Sequence, residues 1–381
     1  MNQCKSLLTT SLAVGVLLAL PAPPSRAQTP SEFTVVATGL NAPRGLRFGP
    51  DGDLYVAEGG TGGKNATTAA QCTQVPGPVG PYFGGDTGAI VKIDKSGKKS
   101  VVASGFPSNA DSVGDLSSVA DVVFVGNDLY ALIAGGGCSH GNPSSPNGIA
   151  KVNLANGKWS LIADLSEYAM THPGKYDDAG DFEPDGVWYH MIEWGGNIIA
   201  VEPNRGILVK VSTGGRASEF IDISASQGHI VPTAMAKYGD QIYVGNLLYF
   251  PILQQRSRIL RIAPTGSIGE NDVPGFASAP GEYVAESKAG FTSIVADAVG
   301  PDNLLYVLEL SDNAGYPALG NGKVVRIEHS GAISEVISGL NVPGGMAWGP
   351  DGRLYISDFS AVPAPNFGLG RILRFDVAFG Y

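Results

Sequence analysis

Asp121, Asp185, Tyr189, His190 and His229 are the side chains with the most chemistry to offer: carboxylates, imidazoles and a phenol that can hydrogen-bond a polar ligand and exchange protons near neutral pH. Arg44, Thr233, Thr292 and Asp297 occupy comparable points of other segments, and the run GVWYHMIEW at 186–194 adds Trp188 as a wall on which a planar ligand could stack. Such a mixed lining suits a polar small molecule, or a divalent metal held by the carboxylates. The competing readings are a water-filled polar channel, with Trp188 as a filler in the core. A second set, Glu58, Glu202, Asn246, Glu309 and Asp358, closes one apolar segment after another and offers oxygen ligands to a hard cation such as Ca²⁺. Its competing role is to accept hydrogen bonds from backbone amides where a loop leaves a sheet, and the positions are expected far apart around a ring. The histidines His140, His172, His190 and His229 follow no metal-ligand spacing.

These residues are placed by a repeat. IVKI at 90, IAKV at 149, LVKV at 208, ILRI at 259, VVRI at 324 and ILRF at 372 share one pattern. Each is preceded by a strand-like segment, such as LYVAE at 54, LYVLE at 305 or LYISD at 354, often after a GPDG or GPDN turn. Four antiparallel strands repeated six times predict an all-β, six-bladed β-propeller. Residues 35–58 and 335–358 align at a constant offset, so FTVVAT at 33–38 is expected to be the outer strand of the last blade and to close the ring. With strands counted outward from the axis, long insertions fall between second and third strands (59–88, 134–148, 247–257, 310–322, 359–370) and between blades (105–118, 165–185). All of these open on one face, which is therefore the expected recognition surface. The fourth blade shows no clean outer strand; EYVAE at 282–286 is the best match. The predicted functional site is the mouth of the channel on the elaborated face near blades two to four, where Asp121, Asp185, Tyr189, His190 and His229 are expected to converge.

Residues 1–27 read as a cleaved export signal, with Lys5, an apolar run and Ser25-Arg26-Ala27, leaving 28–381 as a single propeller domain with no membrane span. The expected location is secreted or periplasmic, the expected state monomeric. Cys4 leaves with the signal; Cys72 and Cys138 remain in loops of neighbouring blades and are expected to form a disulfide, the alternative being two free thiols. A formal charge of −10 argues against nucleic acid and anionic membranes as partners.

The repeat unit resembles NHL-like propellers. GLNAPRGLRFGPDGDLYVAEGG, FEPDG and GFTSIVADAVGPDNLLYVLEL further resemble the secreted ScyD/ScyE family associated with scytonemin clusters, over nearly all of residues 33–376. That resemblance implies an exported propeller that binds, or assists late processing of, a planar indole-phenolic metabolite, with that metabolite or another exported protein as partner. It implies no catalytic set, and Val187-Trp188-Tyr189-His190 departs from the family pattern. The alternative is a propeller enzyme with an axial metal or quinone cofactor, a lactonase-like hydrolase or a sugar dehydrogenase. Against it, the His-x-Gly-Gly-Arg segment of soluble quinoprotein dehydrogenases is missing, His140 being followed by Gly141-Asn142-Pro143. Where gluconolactonase-like propellers carry a metal-binding Glu, this chain has Pro43-Arg44-Gly45, and only Asp185 matches their Pro-Asp-Gly segment.

Overall fold

A turn that recurs shows how the sequence builds the ring. In the segments around Asp51, Asp302 and Asp351, the Asp accepts the hydroxyl of a Tyr four residues on: Tyr55 at 2.9 Å, Tyr306 at 2.8 Å and Tyr355 at 3.0 Å. It also accepts the amide two residues on, from Asp53, Leu304 and Arg353. Gly52 and Gly352 supply the positive φ, 76° and 72°, that two of these turns require. The three Tyr rings then meet, edge to face, an aromatic side chain on the inner strand of an adjoining blade: Tyr55 on Phe124, Tyr306 on Trp348 and Tyr355 on Phe48. One motif thus makes a hairpin and joins two blades.

The computed structural model describes residues 31–112, 114–176, 178–263, 277–278, 284–361 and 367–379. Six four-stranded antiparallel blades form a ring, and two of them gain a short fifth strand. From the axis outward, blade one is Pro43–Phe48, Leu54–Glu58, Phe83–Ile93 and Lys99–Ala110; blade two is Val119–Val125, Asp128–Ile133, Gly148–Val152 and Trp159–Asp164. Blade three is His190–Trp194, Asn197–Glu202, Ile207–Ser212 and Ala217–Asp222; blade four is Pro232–Tyr238, Gln241–Asn246, Ser257–Ile262 and Val284–Phe291. Blade five is Ile294–Val299, Leu305–Glu309, Gly322–Ile327 and Ile333–Leu340. Blade six takes Gly345–Trp348, Leu354–Asp358 and Gly370–Phe375 from the end of the chain and Thr34–Leu40 from its beginning, Val35 opposite Leu373 and Thr38 opposite Arg371. The ring therefore closes as the aligned ends predict.

The core is divided in the same way. Six clusters of buried apolar side chains each lie between two successive blades, such as Leu46, Val56, Tyr355 and Ile372 between blades one and six. Every blade buries both faces against its neighbours, so removing one strand uncovers two cluster surfaces.

Two expectations need revision. The insertion 59–88 is not all loop: its last part is strand, and Phe83–Ile93 with Lys99–Ala110 forms a long hairpin whose upper half rises beyond the blade, where Leu116–Ser117 pairs with it. Paired Gly84 and Gly85 permit the close approach of 62–65 and 141–142 that packs this extension. In blade four, the outer strand begins at Val284, inside EYVAE but continuing to Phe291, with Ala277–Ser278 beyond it. The expected export segment lies outside the described residues.

Candidate functional site

The inner strands bring charged groups from several blades to the axis. Arg47, from blade one, donates through Nη2 to His190 Nε2 at 3.2 Å and to the Met191 carbonyl at 3.3 Å on blade three, and lies 3.8 Å from Asp121 Oδ2 on blade two. It also acts electrostatically on Asp297 of blade five, which is not a neighbour of blade one. A side chain that touches blades two and three from blade one, and whose charge is felt on blade five, lies at the central channel.

Asp121 is fully buried and ties three blades together. Its Oδ2 accepts the Met191 amide at 3.0 Å, and its carboxylate fills the space where a side chain on Gly45 would begin, 2.0 Å from an added Cβ. Residue 45 must therefore be glycine for Asp121 to reach Arg47. His190 is neutral: burial pushes its pKa down to about 4, Asp121 opposing this and Arg47 reinforcing it. Because an Arg can only donate, Nε2 of that neutral ring accepts, and the proton resides on Nδ1, which is buried with no partner among the described residues. Asp297 is 3% exposed and neither carboxyl oxygen has a partner beyond its own amide. Burial raises its pKa well above the carboxylate range, Arg47 only partly opposing it.

Above this group, towards the elaborated face, Arg44 pairs with Asp115 at 2.8 Å, donates to the Leu116 carbonyl and reaches the Tyr189 hydroxyl. Burial works against the Arg44 charge, but Asp115 and Tyr189 outweigh it and hold the guanidinium protonated. Burial likewise raises the phenol of Tyr189, with Arg44 drawing it back. The Tyr189 ring packs against the cluster of blades five and six as well as that of blades three and four, so it lies across the mouth of the channel. Beside it a cavity of about 60 Å³ counts Arg44, Asp115, Tyr189 and His190 among its polar walls and Val187 and Trp188 among its apolar ones. That volume takes one functional group or a few waters, so the body of any larger ligand must rest at the mouth.

The other expected members of the site lie elsewhere. Asp185 does not line the cavity: it accepts the Ser139 amide at 2.8 Å and the Ser139 hydroxyl at 2.5 Å, fixing the turn after Cys138. His229 bonds Asp181 at 2.9 Å and the Asn204 carbonyl at 3.1 Å, binding the 165–185 loop to the rim of blades three and four. Trp188, by contrast, does line the cavity, but it is 1% exposed and packed inside the cluster between blades two and three, so it serves as wall and filler more than as a stacking platform. Thr233 donates to the Ile294 carbonyl at 2.6 Å, and Thr292 accepts the Gln255 amide at 2.9 Å, both joining blades four and five. The five residues expected to converge are thus split, and only Asp121, Tyr189 and His190 share the axial region.

The carboxylates that end the second strands act on the backbone. Glu58 accepts the Asn41 amide, Glu202 those of Val187 and Arg205, Glu309 that of Thr292 and Asp358 that of Asn341, all at 2.6–3.0 Å. Asn246 accepts the Arg258 amide and donates to the Ile230 carbonyl. Each secures its own blade, and among the described residues no three His, Cys, Asp or Glu side chains are grouped so as to hold a metal ion. This donor set does not fit a metal centre.

Cys72 and Cys138 are joined, S–S 2.06 Å, linking the long loops of blades one and two. Beneath the bridge, His140 directs Nδ1 at the Gly136 carbonyl (2.6 Å) and Nε2 at Glu183 (2.8 Å), and Glu183 also accepts the Tyr82 hydroxyl at 2.8 Å. Burial opposes a charge on His140, but the acceptors at both ring nitrogens prevail and raise its pKa.

No family model matches the chain, and no curated protein matches it. Solved structures do. A putative glucose dehydrogenase of Thermus thermophilus is similar at TM-score 0.55 and 15% identity, over 90% of this chain and 99% of that one. Regucalcin of Agrobacterium tumefaciens, described as calcium-binding, is similar at 0.52 and 16%, over 92% and 96%. At such identities the likeness establishes the six-bladed propeller fold.

Proposed function

We propose that this chain is an exported binding propeller of the ScyD/ScyE type that receives a small planar aromatic metabolite of the indole-phenolic class at the elaborated mouth of its axis. The observation that carries this reading is Tyr189: an aromatic ring laid across the mouth, its hydroxyl on the partly buried Arg44 and a small cavity beside it. A ligand ring stacks on Tyr189 while a hydroxyl or N–H enters the cavity to meet Arg44 and Asp115. The sequence resemblance supports the same ligand class.

Titration of the mature protein with indole and with p-cresol, followed by calorimetry, tests this. Tyr189→Ala should weaken binding about tenfold by loss of stacking. Tyr189→Phe, which keeps the ring, should weaken it about three- to tenfold by loss of one hydrogen bond. Unchanged affinity in both variants, or no binding by the wild type, overturns the proposal.

A further inference from the structure

On the elaborated face, the long loops of blades four and five, 247–256 and 310–321, are joined to each other. Ile252 and Gly315 exchange both backbone hydrogen bonds, at 2.6 and 3.0 Å, and Gln254 donates to the Asp312 carbonyl at 2.6 Å. The Asn313 amide holds the turn by donating to the Ala314 and Tyr316 carbonyls. This pairing fixes five large apolar side chains in water. Tyr249, Phe250, Leu253, Tyr316 and Leu319 are 43–71% exposed, and the Phe250 and Tyr316 rings stack with centroids 6.2 Å apart. An exposed apolar ledge held in place by backbone pairing marks a surface that something covers.

Its composition and size select the cover. Neither LLYFPIL at 247–253 nor NAGYPALGN at 313–321 contains Asp, Glu, Lys, Arg or His, so the ledge has no charge with which to steer or register a protein partner. The five side chains expose on the order of 500 Å², short of the ~800 Å² per partner of a standard protein interface. A bilayer demands neither charge pairing nor a complementary shape, and Tyr, Phe and Leu are the side chains that enter its headgroup boundary. Gln254, Gln255 and Arg256 stand exposed where the first loop returns to its blade, placed to meet headgroup phosphates. The formal charge of −10 selects a zwitterionic surface over an anionic one. We propose that the paired loops of blades four and five dock the protein on a zwitterionic lipid surface. Leu247 and Leu248, at the root of the first loop, pack in the same two clusters as Tyr189, so a chain docked by this ledge turns its mouth towards the lipid. The docking stands whether or not an aromatic ligand binds at the mouth.

Phosphatidylcholine vesicles are the probe, with partition of the mature protein measured by co-sedimentation. The wild type should bind saturably, and admixture of phosphatidylglycerol should weaken binding. Tyr316→Ser combined with Leu319→Ser, both at exposed positions, should lower the partition coefficient about tenfold or more without lowering the melting temperature. Tyr316→Trp, which keeps an interfacial aromatic, should stay within about threefold of the wild type. Leu154→Ser, an exposed position in a turn of the opposite face, should change nothing. Absence of binding to phosphatidylcholine, undiminished binding by the double variant, or an equal loss in Leu154→Ser would each overturn the proposal. So would a dimer, seen by sedimentation velocity without lipid, that the same two substitutions dissociate. Indole and p-cresol are titrated without lipid, so failure at the mouth and failure at the ledge are read separately.

Discussion

His140 and His190 show how one residue type takes opposite roles within one loop-and-axis region. His140 has acceptors at both nitrogens and its pKa is raised, so its charged form contributes stability that is fully present below the unfolded value near 6.5 and is lost as pH rises through the higher folded value. His190 faces Arg47 and is held neutral, with a pKa of about 4, so the folded state binds fewer protons than the unfolded one between pH 6.5 and 4, and acidification through that window destabilises the fold. Melting curves against pH should separate the two. His190→Gln, whose amide oxygen can still accept from Arg47, should flatten the acid limb by up to about 3 kcal/mol. His140→Gln should cost most at and below pH 6.5 and progressively less as pH rises. An acid limb in His190→Gln as steep as in the wild type would show that His190 is not the neutral partner of Arg47. Arg47 itself is the residue that the sequence hid best. It sits in GLRFGPDG where the aligned copy GMAWGPDG has Ala347, and a cation at one position of an inner strand gives no sign that it will cross the axis. Only ring closure brings Asp297 of blade five within electrostatic range of blade one.

At the level of elements, the strands were legible and the loops were not. Recurring apolar segments and GPDG turns located the blades because the second strands are buried on both faces and so read as short continuous apolar runs, and the carboxylates that end them cap backbone amides, the competing role considered for them. Asp185 and His229 were misplaced because they follow long connections with no period to fix their direction, and both turned out to anchor those connections. Trp188, which breaks the blade pattern, is bulk for the space between blades two and three. The element with the greatest leverage is Thr34–Leu40, which pairs with Gly370–Phe375 and contributes Ala37 and Leu40 to the cluster of blades six and one. Deleting residues 28–40 should therefore lower the melting temperature far more than trimming beyond Asp376, since it exposes the edge of the Gly370–Phe375 strand and uncovers apolar faces. A deletion variant that melts with the intact protein would contradict closure by this strand.

For the whole molecule, division of labour between the two faces is the main result. Short Asp–Tyr turns fix one face, while the insertions, the Cys72–Cys138 bridge and the His140–Glu183 pair build a rigid rim on the other. No described helix is long and apolar enough to cross a membrane. Within that rim the axis presents two levels, the Arg44–Tyr189 mouth and the Arg47–His190–Asp297 interior, and both depend on blades that are distant in sequence. The central claim is that ligand enters at the mouth. A crystal of the mature protein soaked with indole tests it most directly: the account predicts planar density stacked on Tyr189 with its N–H beside Asp115, and density confined to the short-turn face or the outer edge of the blades would contradict it.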